Sequence, residues 1–92
     1  MVNIKPRFKL TVLSPNELIY ENEVQSVFLQ GDEGEYEILG YHYPVIGVLT
    51  RGDIIIDWNQ RIPVRGGIMR FFANECTIIV EEEVLREKSK AK

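Results

Sequence analysis

The side chains able to carry chemistry in this sequence are few, and their spacing suits recognition better than catalysis. His42 is the only histidine and Cys76 the only cysteine, and the serines at 14, 26 and 89 lack the Gly-x-Ser-x-Gly context of a nucleophile elbow. A general base needs a nucleophile and an orienting partner within hydrogen-bond reach, and no such set is in view. No His, Cys or carboxylate group has the spacing of a zinc site. The densest cluster is acidic: Asp32, Glu33, Glu35 and Glu37, within GDEGEYEILG at 31–40. It lacks the Asp-x-Asp-x-Asp-Gly spacing that wraps calcium. A phosphate cradle is excluded too, because these carboxylates would repel the anion and no helix follows. Tyr36, Tyr41, Tyr43 and Trp58 could stack on a sugar or peptide. Arg51-Gly52-Asp53 spells an adhesion tripeptide, for which chance is the better explanation in a cytosolic turn. The expectation is a non-catalytic protein without metal or cofactor, whose acidic loop and aromatic rings meet a partner.

The elements that must position these residues read as β throughout. Phe8, Leu10 and Val12 alternate with Lys9 and Thr11; Val24, Ser26 and Phe28 alternate with Gln25 and Val27; Ile54, Ile56 and Trp58 alternate with Ile55 and Asp57. Turn-forming clusters at Ser-Pro, Gly-Asp-Glu-Gly, Arg-Gly-Asp, Trp-Asn-Gln and Ala-Asn separate the runs. The pattern predicts an all-β fold, a small two-sheet β-sandwich of about nine to ten short antiparallel strands. Gly34 supplies the positive φ of a tight hairpin, and Gly66-Gly67 either bends a strand or lets another backbone approach. Residues 1–83 form one domain, and the lysine-rich tail at 84–92 reads as short, helical and frayed.

Ninety-two residues, 45% of them hydrophobic, support one core, and a chain of this size buries only about 60–65% of its unfolded surface. The N-terminus has no signal-peptide pattern and the chain no 18-residue apolar run, so a soluble cytoplasmic protein is expected. Cys76, immediately before Thr77-Ile78-Ile79-Val80, reads as an inert packing residue. A net charge of −3 argues against a nucleic-acid surface.

Five segments in order resemble one known family. They are FKLTVLSPNELIYENEVQSVFL at 8–29, GDEGEYEIL at 31–39, His42 with Pro44, Gly52 after Leu49-Thr50, and Gly66-Gly67 followed by Asn74 and CTIIV at 76–80. Together they resemble the N-terminal β-sandwich domain of the epsilon subunit of F-type ATP synthase, called delta in mitochondria. Two departures stand out. Glu37 occupies a position where the family carries a small residue, and Gly40-Tyr41-His42-Tyr43-Pro44 replaces Pro-Gly-His-Ala-Pro.

The resemblance implies a rotor subunit that clamps the gamma subunit to the membrane-embedded c-ring, as a peripheral subunit on the cytoplasmic face of a bacterial inner membrane. It implies ring contact through Glu35 and His42, and gamma contact through Ser14, Val45, Gly47, Ile68 and Met69. Because alternation sends every second side chain inward, about half of the apolar residues at 45–48 and 68–72 must belong to the core. The sequence ends before the helical hairpin that senses ATP in longer members, so a short form without ATP binding is expected. The free chain is expected to be a monomer. The rival readings are an aromatic-platform module for peptide or sugar and a paralogue that has left the synthase.

Overall fold

Strict alternation makes the first strand, β1 (Phe8–Leu13), two-sided: Phe8, Leu10 and Val12 are fully buried, while Lys9 is exposed and Thr11 and Leu13 half-exposed. The other strands are β2 (Leu18–Val24), β3 (Ser26–Gly31), β4 (Gly34–Leu39), β5 (Val45–Leu49), β6 (Gly52–Ile56), β7 (Gln60–Phe72) and β8 (Glu75–Glu82), and alternation is clearest in β5, while Ile54, Ile55 and Ile56 of β6 are all buried. The computed structural model describes residues 5–82. The expected reading of 84–92 as a frayed helical tail lies outside these residues.

The strands run in the order β2-β1-β8-β7-β5-β3-β4, with β6 bridging β3 and β7. Val45↔Phe71, Leu49↔Gly67, Gly52↔Val64 and Ile56↔Gln60 all keep one antiparallel register. β5 and β6 are therefore one run along β7, interrupted at Thr50-Arg51. At that break the run also changes its register on β3, pairing Leu49 with Gly31 but Ile56 with Val27. The hydrogen-bonded path folds over there, giving one layer of β5, β7, β8, β1 and β2 and another of β6, β3 and β4. Phe8, Leu29, Ile38, Ile56, Met69 and Ile78 lie between them, and the Phe8 and Phe71 rings meet edge-on at 5.5 Å.

Two features differ from the expected plan. The described residues hold eight strands, not nine or ten, because Gln60–Phe72 passes through Gly66-Gly67 as a single strand of 13 residues. β1 and β8 pair in parallel, Leu10 with Cys76 and Val12 with Ile78, and every other pair is antiparallel. Both proposed roles of the paired glycines are present. The β7–β8 register shifts between Val64 and Gly66, which is a bulge. A Cβ on Gly67 would run into the Ile79 carbonyl oxygen and sit 3.0 Å from Val80 Cα.

Turn chemistry closes the hairpins. Gly34 has φ of 123° beside the Asp32-Glu33 tip. Ala73 and Asn74, at 52° and 61°, form the two-residue type I′ loop between β7 and β8. Asp57 and Trp58, at 51° and 58°, turn β6 into β7, with Asn59 N–H donating to Ile56 C=O at 3.0 Å.

Candidate functional site

The two outer faces of the sandwich differ in character. On the β3-β4-β6 face the carboxylates are held by neighbours. The Gln30 amide lies 3.5 Å from Glu35 Oε2, Trp58 Nε1–H donates to Glu37 Oε2 at 2.8 Å, and Arg61 pairs with Asp53 at 3.2 Å. The Trp58 ring covers Phe28 at 5.1 Å, and Asp57 Oδ1 accepts from Gln25 N–H and Ser26 N–H at 2.8 and 3.0 Å. The β6–β7 turn is thereby pinned across β3.

The β5-β7-β8-β1-β2 face carries an apolar row. Val48 pairs with Ile68, Ile68 with Ile79, Ile79 with Leu13, and Leu13 with Leu18. Val48, Ile68, Ile79 and Leu18 are 50–57% exposed, so the row faces outward across five strands. Beside it a second row runs Ile46, Arg70, Thr77, Thr11, Glu21. Exposed apolar surface of this continuity marks interaction sites. At the β2 edge Lys9 holds Glu21 at 3.1 Å, and the hydrogen bond and charge of Glu21 raise the Lys9 ammonium above its usual range.

The residues singled out from the sequence are now placed. Glu35 and His42 both border one open cleft of about 530 Å³ between the β3–β4 hairpin and β5. Glu35 is exposed; His42 is half-buried, edge-on to Phe71 at 5.8 Å, with Nδ1 at 2.7 Å from the Tyr43 carbonyl. Val45 and Gly47 line the same cleft. Val45 packs against the core, and Gly47 lies under the Tyr36 hydroxyl, which is buried without a hydrogen-bond partner among the described residues. Burial is the main reason the Tyr36 phenol is raised above its usual range.

Ile68 and Met69 separate cleanly: Ile68 is 54% exposed on the apolar row and Met69 is fully buried. Met69 is thus corrected from a surface contact to a core residue, because alternation turns it inward between Ile68 and Arg70. Ser14 is also buried, its hydroxyl accepting from Asn16 N–H at 3.3 Å and its own N–H donating to Glu17 C=O at 2.9 Å. The turn around it, through Pro15 and Asn16, is what reaches the surface. Tyr36, Tyr41, Tyr43 and Trp58 form no common platform. Tyr36 points into the cleft while Trp58 lies on the opposite side of β4, bonded to Glu37.

Sequence reasoning missed Asn74 as an organiser. Its Oδ1 accepts from Tyr41 N–H at 2.7 Å and its Nδ2–H donates to Arg7 C=O at 2.8 Å, tying the 40–44 loop to the start of β1. The only local signal was an Ala-Asn turn. The extension of the apolar row to Leu13, Leu18 and Ile79 was missed as well, since it exists only through the cross-strand register.

Comparisons with known proteins agree with this architecture. A family model described as ATP synthase, Delta/Epsilon chain, beta-sandwich domain matches residues 7–86. The chain is 32% identical over 88 residues to the ATP synthase epsilon chain of Lactobacillus delbrueckii subsp. bulgaricus, covering 88% of this chain and 60% of the relative. It is 30% identical over 84 residues to the ATP synthase epsilon chain of Leptospira interrogans, covering 88% and 66%. It is 31% identical over 78 residues to the chloroplastic ATP synthase epsilon chain of Jasminum nudiflorum, covering 82% and 59%. It therefore spans about three fifths to two thirds of the length of these relatives. A chain of the Euglena gracilis mitochondrial ATP synthase, solved by cryo-EM with its F1 part and c-ring, superposes with a TM-score of 0.75 at 20% identity, covering 98% of this chain and 64% of that one. A chain from the central stalk and c-ring structure of the Tetrahymena thermophila mitochondrial enzyme gives 0.73 at 18%, covering 87% and 67%. With the eight-stranded fold and a sequence match over nearly its whole length, the chain belongs to the delta/epsilon family of ATP synthase, as its β-sandwich domain.

Proposed function

We propose that this chain is a non-catalytic central-stalk subunit of a rotary F-type ATP synthase, clamping the gamma subunit to the c-ring so that ion-driven rotation is coupled to ATP synthesis. The observation that carries this reading is the outward apolar row Val48–Ile68–Ile79–Leu13–Leu18, on the face of a domain whose relatives are ATP synthase epsilon chains. Gamma takes that face, with the Ser14–Asn16 turn at its edge; Val45, Gly47 and Met69 support it from beneath. Glu35 and His42, at the hairpin end, meet the polar loops of the c-ring, where a carboxylate sets register more than bulk affinity. The subunit sits peripherally on the cytoplasmic side of a bacterial membrane, and the free chain is monomeric.

A clamp must transmit torque without deforming, and a close-packed two-layer core supplies that stiffness. Size-exclusion chromatography with light scattering, on the chain alone and with the gamma subunit of the same organism, tests the reading. A one-to-one complex is expected. Ile68→Glu should keep a native circular-dichroism spectrum and weaken the complex, whereas no complex at tens of micromolar with the unmodified chain would overturn the proposal.

A further inference from the structure

The apolar face has a charge pattern of its own. Among the described residues, the guanidinium groups of Arg65 and Arg70 make no side-chain hydrogen bond or ion pair, unlike the side chains of Arg61 and Lys9, which hold Asp53 and Glu21. Both project outward from β7, on either side of the Ile68 position, and both are exposed. Five residues of strand separate them by roughly 15 Å. Each lies at a groove. Arg70 is the single charged wall of an apolar groove of about 460 Å³ formed with Pro44, Val45, Ile46, Phe71 and Phe72. Arg65 borders a smaller polar groove of about 250 Å³ with Ser14, Pro15, Asn16 and Glu81. Ile46 and Phe72, 70% and 60% exposed, flank Arg70 directly.

A guanidinium without a partner beside exposed apolar side chains is a costly arrangement once the face is covered. Covering it with an apolar surface would bury an unpaired charge. Covering it with a surface that brings a carboxylate to the arginine turns the same group into a bidentate anchor. We propose that Arg70 and Arg65 are the registering residues of this interface. In this arrangement the partner inserts an apolar side chain into the Pro44/Ile46/Phe72 groove with an acidic residue beside it on Arg70, and a second acidic residue meets Arg65 beyond the apolar row. The inference rests on the rotor reading for the identity of the partner, the gamma subunit. It adds the chemistry gamma must present, an apolar ridge bracketed by two carboxylates. The opposite β3-β4-β6 face cannot serve in this way, since Glu35, Glu37 and Asp53 there already have side-chain partners and make it acidic.

The test is a titration of the gamma subunit with the unmodified chain, Arg70→Glu, Arg65→Glu and the double variant, at low and high salt, with thermal melts to verify folding. Arg70→Lys serves as a charge-conserving control. The expected result is a loss of at least about tenfold in affinity for each reversal, a shallower salt dependence, and partial retention by Arg70→Lys, because a point charge replaces a fork. Restoration of binding to the Arg70→Glu variant by an Asp or Glu to Lys change on gamma would identify the partner carboxylate. Undiminished binding by the folded double variant would overturn the arginine inference while leaving the rotor reading intact. Failure of the unmodified chain to bind gamma would overturn both.

Discussion

Tyr36 and Gly47 show how a single missing Cβ shapes the cleft. The Tyr36 hydroxyl occupies the space a side chain at 47 would fill, and it does so without a hydrogen-bond partner among the described residues. Gly47→Ala forces the two apart, and overpacking of this kind costs about 1–3 kcal/mol. Tyr36→Phe removes the orphaned hydroxyl, so it should be close to neutral or mildly stabilising. In the Tyr36→Phe/Gly47→Ala double variant the ring carbon that remains is 3.5 Å from the new methyl, an ordinary contact, so most of the single-variant loss is recovered. A urea-denaturation cycle on the four proteins checks this; purely additive losses would show that the two positions do not compete for the same space. The glycine was legible in the sequence as a candidate contact residue, but its conflict with Tyr36 was not, since eleven positions separate them.

At the scale of elements, the loop of residues 40–44 holds no strand of its own and depends on a tie from the β7–β8 turn. Asn74 supplies that tie through Tyr41 N–H and Arg7 C=O, and it does so from a left-handed conformation that asparagine tolerates. Asn74→Gly keeps the conformation and loses the bonds, whereas Asn74→Ala loses both. The expected destabilisation is about 1–2 kcal/mol for glycine and somewhat more for alanine. Amide hydrogen exchange should report faster exchange at Tyr41 and His42 in both variants, with β1 and β8 still protected. Uniform loss of protection across the sheet would instead make Asn74 part of the global core. The Trp58–Glu37 bond works at the same scale, binding the β6–β7 turn over β4.

At the scale of the whole molecule, burial is expected to couple stability to alkaline pH. Burial pushes the Cys76 thiol from its ordinary 9.0 up to about 12 and raises the Tyr36 phenol as well. For a group whose folded pKa lies above its unfolded value, the native state holds the proton longer, so its stabilising contribution is present below the unfolded pKa and lost as pH rises toward the folded one. The melting temperature should therefore fall between about pH 9 and pH 12, and less steeply in Cys76→Ala; an unchanged slope in that variant would remove the thiol from the account. At neutral pH the native thiol should resist a thiol reagent until the chain is unfolded. Much of this molecule was legible in the residues alone. Period-two alternation and turn chemistry are local properties, so the all-β class, the hairpin at Gly34, the bend at Gly66-Gly67 and the buried Cys76 follow from short stretches of sequence. The five ordered segments also carried the family likeness. Tertiary structure alone decided three things: that Met69 turns inward and Ile68 outward, that β1 pairs in parallel with β8, and that Leu13, Leu18, Val48, Ile68 and Ile79 align as one row. Each depends on the register between strands distant in sequence, and a shift of one residue in that register would exchange the buried and exposed faces.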